Sequence, residues 1–169
     1  SPYNLGGTGG FNCAVLAALS TASDYILLLD DDLMPDDECI EHLVDFLDTH
    51  RDYSFAAPAV FISSKPNTLQ ETGGGIDFTK KMPVEAWNRF AVNPTLPDII
   101  DIDYASACCL MVRSDAVRKI GVMDWNYFIF SDDVDWCIRL QENCGKGACV
   151  TKAKAFHDFP WSKPFSPIR

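Results

Sequence analysis

Positive charge is scarce in this chain: 14 Lys and Arg stand against 24 Asp and Glu, a formal net charge of −10. Nucleic-acid binding needs a basic surface, so that class of partner is argued against from the start. Long apolar runs are missing too. A membrane-spanning helix needs roughly 20 such residues, and no run here approaches that; the candidate Tyr25-Ile26-Leu27-Leu28-Leu29 is strand-sized and stops at three aspartates. There are no internal repeats and no low-complexity tracts. None of the seven cysteines forms a C-x-x-C pair, and an odd count in apolar surroundings favours reduced thiols and a cytoplasmic setting over a disulfide framework. An initiator Met is also lacking, so the expectation is a piece of a longer protein. What is present, 169 residues with 47% hydrophobic and 22% charged, suffices for one soluble globular domain with a sizeable core. An acidic protein that handles a phosphorylated ligand would have to recruit a cation.

The chain opens on a glycine-rich loop, Asn4-Leu5-Gly6-Gly7-Thr8-Gly9-Gly10. No Gly-Lys-Ser/Thr follows, which excludes a Walker A, and no strand precedes it as the dinucleotide fingerprint requires. Phe11, Val15 and Leu19 behind it have helical spacing. Residues 25–29 predict a strand buried on both faces. After Pro35, Ile40, Leu43, Val44 and Leu47 mark one face of a helix with acids in its first turn. From Phe61 to Pro97 the pattern weakens into an excursion with Gly73-Gly74-Gly75 and a short strand at Ile76-Asp77-Phe78. Ile100-Asp101-Ile102-Asp103-Tyr104 alternates as a half-exposed strand, and Cys108 to Val112 is a second apolar run. Ser114 predicts the N-cap of a short helix stopping at Gly121, and Ser131 the cap of another ending near Gly145. The tail, with His157 and Trp161, predicts no regular element. This order suggests an α/β domain with a mostly parallel sheet flanked by helices.

Asp30-Asp31-Asp32 is the first candidate site. It falls beyond the carboxyl end of a strand, where open α/β sheets bind ligands. Alternate aspartates of an extended segment project to the same side, so Asp30 and Asp32 can share a hard cation; a solvated acidic turn capping the next helix is the other reading. Ser131-Asp132-Asp133 is the second. Acids there cap a helix dipole, or one of them is a general base kept ionised by the helix N-terminus. His157 is either a satisfied structural histidine or, if the fold carries it to the aspartates, a metal ligand. Trp161 is either core or a stacking surface for a sugar ring.

Taken in order, residues 4–11, Leu29-Asp30-Asp31-Asp32, Ile102-Asp103-Tyr104, Ser131-Asp132-Asp133 with Arg139, and His157-Asp158-Phe159-Pro160-Trp161 resemble the family 2 glycosyltransferases of the GT-A fold. Within them the likeness is greatest to bacterial galactofuranosyltransferases and rhamnosyltransferases of polysaccharide biosynthesis. The resemblance implies a nucleotide-diphospho-sugar donor, UDP- or dTDP-linked, and a glycan or cell-surface polysaccharide acceptor. It implies Asp30 and Asp32 as the metal-binding ends of a D-x-D motif for Mn²⁺ or Mg²⁺, joined by His157. Asp31 would lie near the sugar nucleotide, with Gly6, Gly7, Gly9 and Gly10 on the same donor side. Asp133 would be the base of an inverting displacement, Asp132 its neighbour, and Trp161 an acceptor contact. Family members carry a further Rossmann-like stretch before the glycine loop, so residues 1–169 are expected to be one catalytic domain lacking its N-terminal strands. A peripheral association with the inner face of the membrane is compatible with this reading. Two alternatives share parts of the pattern: a sugar-nucleotide nucleotidyltransferase, which would want a basic residue in the loop, and a non-catalytic metal- or glycan-binding module.

Overall fold

The structure is a computed structural model that describes residues 3–77, 79–80, 82–85 and 90–158, the backbone alone for 82–85. Four helices, α1 (Gly6–Ala18), α2 (Cys39–Thr49), α3 (Ser114–Ile120) and α4 (Asp132–Asn143), alternate with strands. The strands are β1 (Tyr25–Leu29), β2 (Leu33–Pro35), β3 (Tyr53–Ile62), β4 (Lys65–Glu71), β5 (Gly74–Asp77), β6 (Met82–Glu85), β7 (Ile99–Ile102), β8 (Cys109–Arg113) and β9 (Lys146–His157).

The main sheet runs β1-β8-β3-β9-β2, with β4 added to β3 and β7 to β9; β5 and β6 form a separate hairpin. It is mixed, and its parallel pairing is that of β3 with β9. The expectation of a mostly parallel sheet changes because β8 runs antiparallel between β1 and β3. Those two strands still point the same way as each other, and as β9. The carboxyl ends of β1, β3 and β9 therefore open on one rim of the sheet, the place where such folds bind ligands.

Side chains alternate across the sheet. Phe55, Ala57, Leu110 and Val112 face one layer with Val15 of α1, Val117 of α3 and Trp136 and Leu140 of α4. Ala56, Met111, Ala148 and Val150 face the other, with Leu43, Phe46 and Leu47 of α2. β1 lies at an edge: Ile26 and Leu28 are buried on one face, while on the other Tyr25 and Leu27 are half-buried and Leu29 is exposed, so its second face is covered only in part.

Several local expectations change. The glycine stretch is the first turns of α1 rather than a loop. Glycine is a poor helix former, but tertiary anchoring overrides propensity here: the buried Asn12 side chain donates to the Met123 carbonyl at 2.9 Å and accepts from its N–H at 3.0 Å. Residues 61–71 belong to the sheet, with Leu69 fully buried, rather than to an excursion. Ser114 is the first residue of α3, not its cap, and its buried hydroxyl has no hydrogen-bond partner among the described residues. Ser131 occupies the cap position of α4 in the left-handed conformation, without a side-chain cap bond. Residues 74–77 are a strand as expected at 76–77, while Phe78 lies outside the described residues. All seven cysteines are free thiols.

Candidate active site

The first half of the site grows from the end of β1. The Asp30 N–H donates to the Cys108 carbonyl at 3.0 Å, and the Leu33 N–H reaches the Asp30 carbonyl at 3.4 Å. Asp30, Asp31 and Asp32 thus form a tight turn into β2. That short strand pairs with the end of β9 in a register that sets Leu33 opposite His157. Pairing two strands more than 120 residues apart is what carries the histidine to the aspartates. His157 is buried, and its Nε2 lies 3.2 Å from Asp32 Oδ1. Its Nδ1 lies 3.0 Å from Nε2 of the buried Gln70. Asp31 and Asp32 are exposed and Asp30 half-buried. Burial pushes the Asp30 carboxyl above the usual carboxylate range; the charges of Asp32 and Asp31 add to this and His157 opposes it.

Two carboxylates and an imidazole suit a small divalent cation such as Mn²⁺ or Mg²⁺. The three groups are neighbours, yet among the described residues no three His, Cys, Asp or Glu side chains are disposed around a common point. The donor set is therefore right in kind, with His157 and Asp32 held to each other.

The second half is the start of α4. Phe130 and Ser131 both have left-handed backbones, with φ of 68° and 63°, and they swing the chain into the helix. Its two leading aspartates diverge. Asp132 is buried and accepts a 2.6 Å hydrogen bond from the Thr8 hydroxyl of α1. Asp133 is half-buried; its Oδ2 accepts from the Ala107 N–H at 3.2 Å and its Oδ1 from the Val134 N–H at 2.8 Å. Burial raises its carboxyl, those backbone N–H groups pull it down, and Asp132 pushes it up again; the net shift is upward. Desolvation thus outweighs the hydrogen bonds at the helix start, which alone would lower the carboxyl. Trp136, fully buried, donates from Nε1 to the Gly121 carbonyl at 2.9 Å and pins the helix. Arg139 is paired within α4, its Nε 2.8 Å from Asp135 Oδ2.

The glycines serve this second half. Gly6 has φ of 72°, and a Cβ there would stand 2.0 Å from the Phe128 carbonyl oxygen. Gly9 is closed off by Leu5, Gly7 has ordinary room beside Ile129, and Gly10 faces open space. Gly6 is glycine so that the loop leading to Asp132 and Asp133 can lie against α1.

The halves meet at one dipeptide. Ala107 donates to Asp133 while Cys108, its neighbour, accepts from Asp30. Glu71, at the end of β4, receives the Cys108 thiol at 3.4 Å and so also belongs to the site. Sequence reasoning overlooked Gln70, Glu71 and Thr8. Trp161 lies outside the described residues.

Three layers of helix, sheet and helix, with ligand-type carboxylates at the rim where co-directional strands end, define a GT-A domain. Residues 1–121 match the sequence model described as glycosyl transferase family 2, and the chain belongs to that family. Galactofuranosyltransferase GlfT1 of Mycolicibacterium smegmatis is 29% identical over 156 residues, which cover 89% of this chain and 50% of that protein. The chain thus spans about half the length of this curated relative. Among solved structures, GalNAc-T7 crystallised with UDP, GalNAc and Mn²⁺ superposes with a TM-score of 0.66 at 14% identity, covering 90% of this chain and 30% of that one. A197 from STIV superposes with a TM-score of 0.59 at 9% identity, covering 89% and 66%. At these identities the structures speak for the fold alone. No helix among the described residues is long and apolar enough to cross a membrane.

Proposed function

We propose that this chain is a catalytic domain, part of a longer protein, of an inverting, metal-dependent glycosyltransferase. It would move a sugar of galactofuranose or rhamnose type from a UDP or dTDP donor to a glycan or cell-surface polysaccharide at the inner face of the membrane. One observation carries the reading: the Ala107–Cys108 dipeptide holds Asp133 on one side and the Asp30 turn on the other. Such a neighbourhood supports reading Asp133 as the base and the Asp30 turn as the cation side of one displacement at the anomeric carbon. The likeness to a galactofuranosyltransferase favours galactofuranose over rhamnose.

Asp30, Asp32 and His157 would hold Mn²⁺ or Mg²⁺, which when bound supplies Lewis-acid charge to the leaving diphosphate. Asp31 faces the sugar nucleotide, and Gly6, Gly7, Gly9 and Gly10 line the donor side at the start of α1. Asp133 accepts the proton of the acceptor hydroxyl. The acceptor oxygen then forms its bond to the anomeric carbon as the bond to the diphosphate oxygen breaks, and one displacement inverts the configuration. Its raised affinity for protons suits Asp133 to this step. Asp132, tied to Thr8, orients the helix start, and Trp161 offers the acceptor an aromatic face. The test is sugar transfer by the full-length protein from UDP-galactofuranose with Mn²⁺. Asp30→Ala and Asp133→Asn should each reduce it by roughly 10²-fold or more; undiminished transfer in both would sink the assignment.

A further inference from the structure

Gln70 is where β4 breaks step with β3. Val60 faces Glu71, but the next residue, Phe61, faces Leu69. Gln70 is therefore the extra residue of a β-bulge, a device that re-aims a side chain and recurs beside active sites. Leu69 stays fully buried in the core, Glu71 reaches Cys108, and the released Gln70 turns its amide to His157. Burying a primary amide is costly unless its polar atoms are matched, and the imidazole is one such match.

The pattern of that match is informative. The amide nitrogen of Gln70 can only donate, so His157 Nδ1 at 3.0 Å must accept. The ring proton of the neutral imidazole then sits on Nε2, directed at Asp32 Oδ1 at 3.2 Å. In this tautomer Nε2 has no lone pair to offer a cation. Ligation through Nε2 requires the proton on Nδ1 and, opposite it, an acceptor. Gln70 carries that acceptor, Oε1, on the same amide, and half a turn about its terminal bond presents it.

We propose that Gln70 is a positioning residue that selects the His157 tautomer by turning its amide: Nε2 against Nδ1 when His157 rests against Asp32, Oε1 against Nδ1–H when His157 holds the divalent cation. This rests on the reading of His157 as a cation ligand given above. It also accounts for a donor set that is right in kind but closed on itself: without a cation, Nε2 rests against the Asp32 carboxylate.

Long-range ¹H–¹⁵N correlation of the imidazole rings tests it on the purified protein. The chain has three histidines, and the signal lost in His157→Ala assigns the ring. The proton should be on Nε2 without metal and on Nδ1 with saturating Mg²⁺. A proton already on Nδ1 in the metal-free protein overturns the proposal with no variant needed. Mn²⁺ affinity, read by electron paramagnetic resonance of the free ion, should fall roughly 10- to 100-fold in Gln70→Leu. Gln70→Glu, whose carboxylate can only accept, should bind Mn²⁺ at least as well as wild type and carry the Nδ1 proton even without metal. Should Gln70→Leu bind normally while His157→Ala does not, Gln70 has no such role and the metal site stands. If His157→Ala itself binds Mn²⁺ like wild type, the ligand role of His157 is wrong and the inference falls with it.

Discussion

Gly6→Ala and Gly10→Ala, four residues apart in one helix, should move stability in opposite directions. At Gly6 the new methyl would sit 2.0 Å from the Phe128 carbonyl oxygen and 2.8 Å from its carbonyl carbon and ring Cδ2. A contact under 3.0 Å cannot persist, so the Phe128 backbone must retreat by about 1 Å. The left-handed backbone at φ of 72° adds about 1 kcal/mol for any residue with a Cβ. Strain and displacement together should cost about 2–4 kcal/mol, which in a domain of this size lowers the melting temperature by roughly 5–15 °C. Because the displaced loop leads directly to Asp133, transfer should fall about 10²-fold, the usual effect of misplacing a reacting group by 1 Å. At Gly10 nothing lies within 4 Å, so alanine should stabilise the helix by about 0.5–1 kcal/mol. Differential scanning fluorimetry with a transfer assay reads both variants. A wild-type melting temperature for Gly6→Ala, or a lower one for Gly10→Ala, would show that the packing argument is mistaken.

Thr8→Val removes the hydroxyl that donates to the buried Asp132 carboxylate at 2.6 Å; unfolding in urea should show a loss of about 1–3 kcal/mol, with Thr8→Ser close to wild type. For Asp133, the upward shift means that kcat/KM should climb with pH along a limb lying above the ordinary carboxylate value of about 3.9. Transfer should lose this limb in Asp133→Asn; an unchanged limb would assign it to another group. The same shift has a stability consequence of definite sign. Folded Asp133 holds its proton more tightly than unfolded Asp133, so its contribution is full below the unfolded value and declines as pH rises through the folded one. Melting curves across that window should slope less in Asp133→Asn.

The acidic turn after β1 and the helix led by Asp132 and Asp133 were legible because a strand-length apolar run that stops at acids, and acids at a helix start, are local patterns. The two longest strands were not. β3 contains Pro58, a residue that argues against a central strand; it is tolerated at a register shift against β9. β9 is built on Gly147, Ala148, Ala153 and Ala155, poor strand formers whose small size is the point. A Cβ at Gly147 would meet the Phe55 ring at 2.0 Å, so packing against β3 chooses the small residue over the β-prone one. With β9 unseen, no local pattern carried His157 to Asp32; the family resemblance alone put the two together, and the pairing of β2 with β9 supplies the physical reason. Gln70 was illegible for a related reason, since a bulge is a mismatch between two strands and one strand's residues do not announce it. The glycines misled in the other direction: composition says loop, and the contacts with Phe128 and Met123 say helix.

The Ala107–Cys108 dipeptide fixes the separation of the two halves by chain length rather than by chemistry. The links to Asp30 and Asp133 use its backbone N–H and C=O, so the span is set by the main chain and not by the two buried side chains. The surrounding loops can then vary while the spacing between Asp133 and the Asp30 turn is inherited unaltered. The one change this strap would not absorb is an inserted or deleted residue.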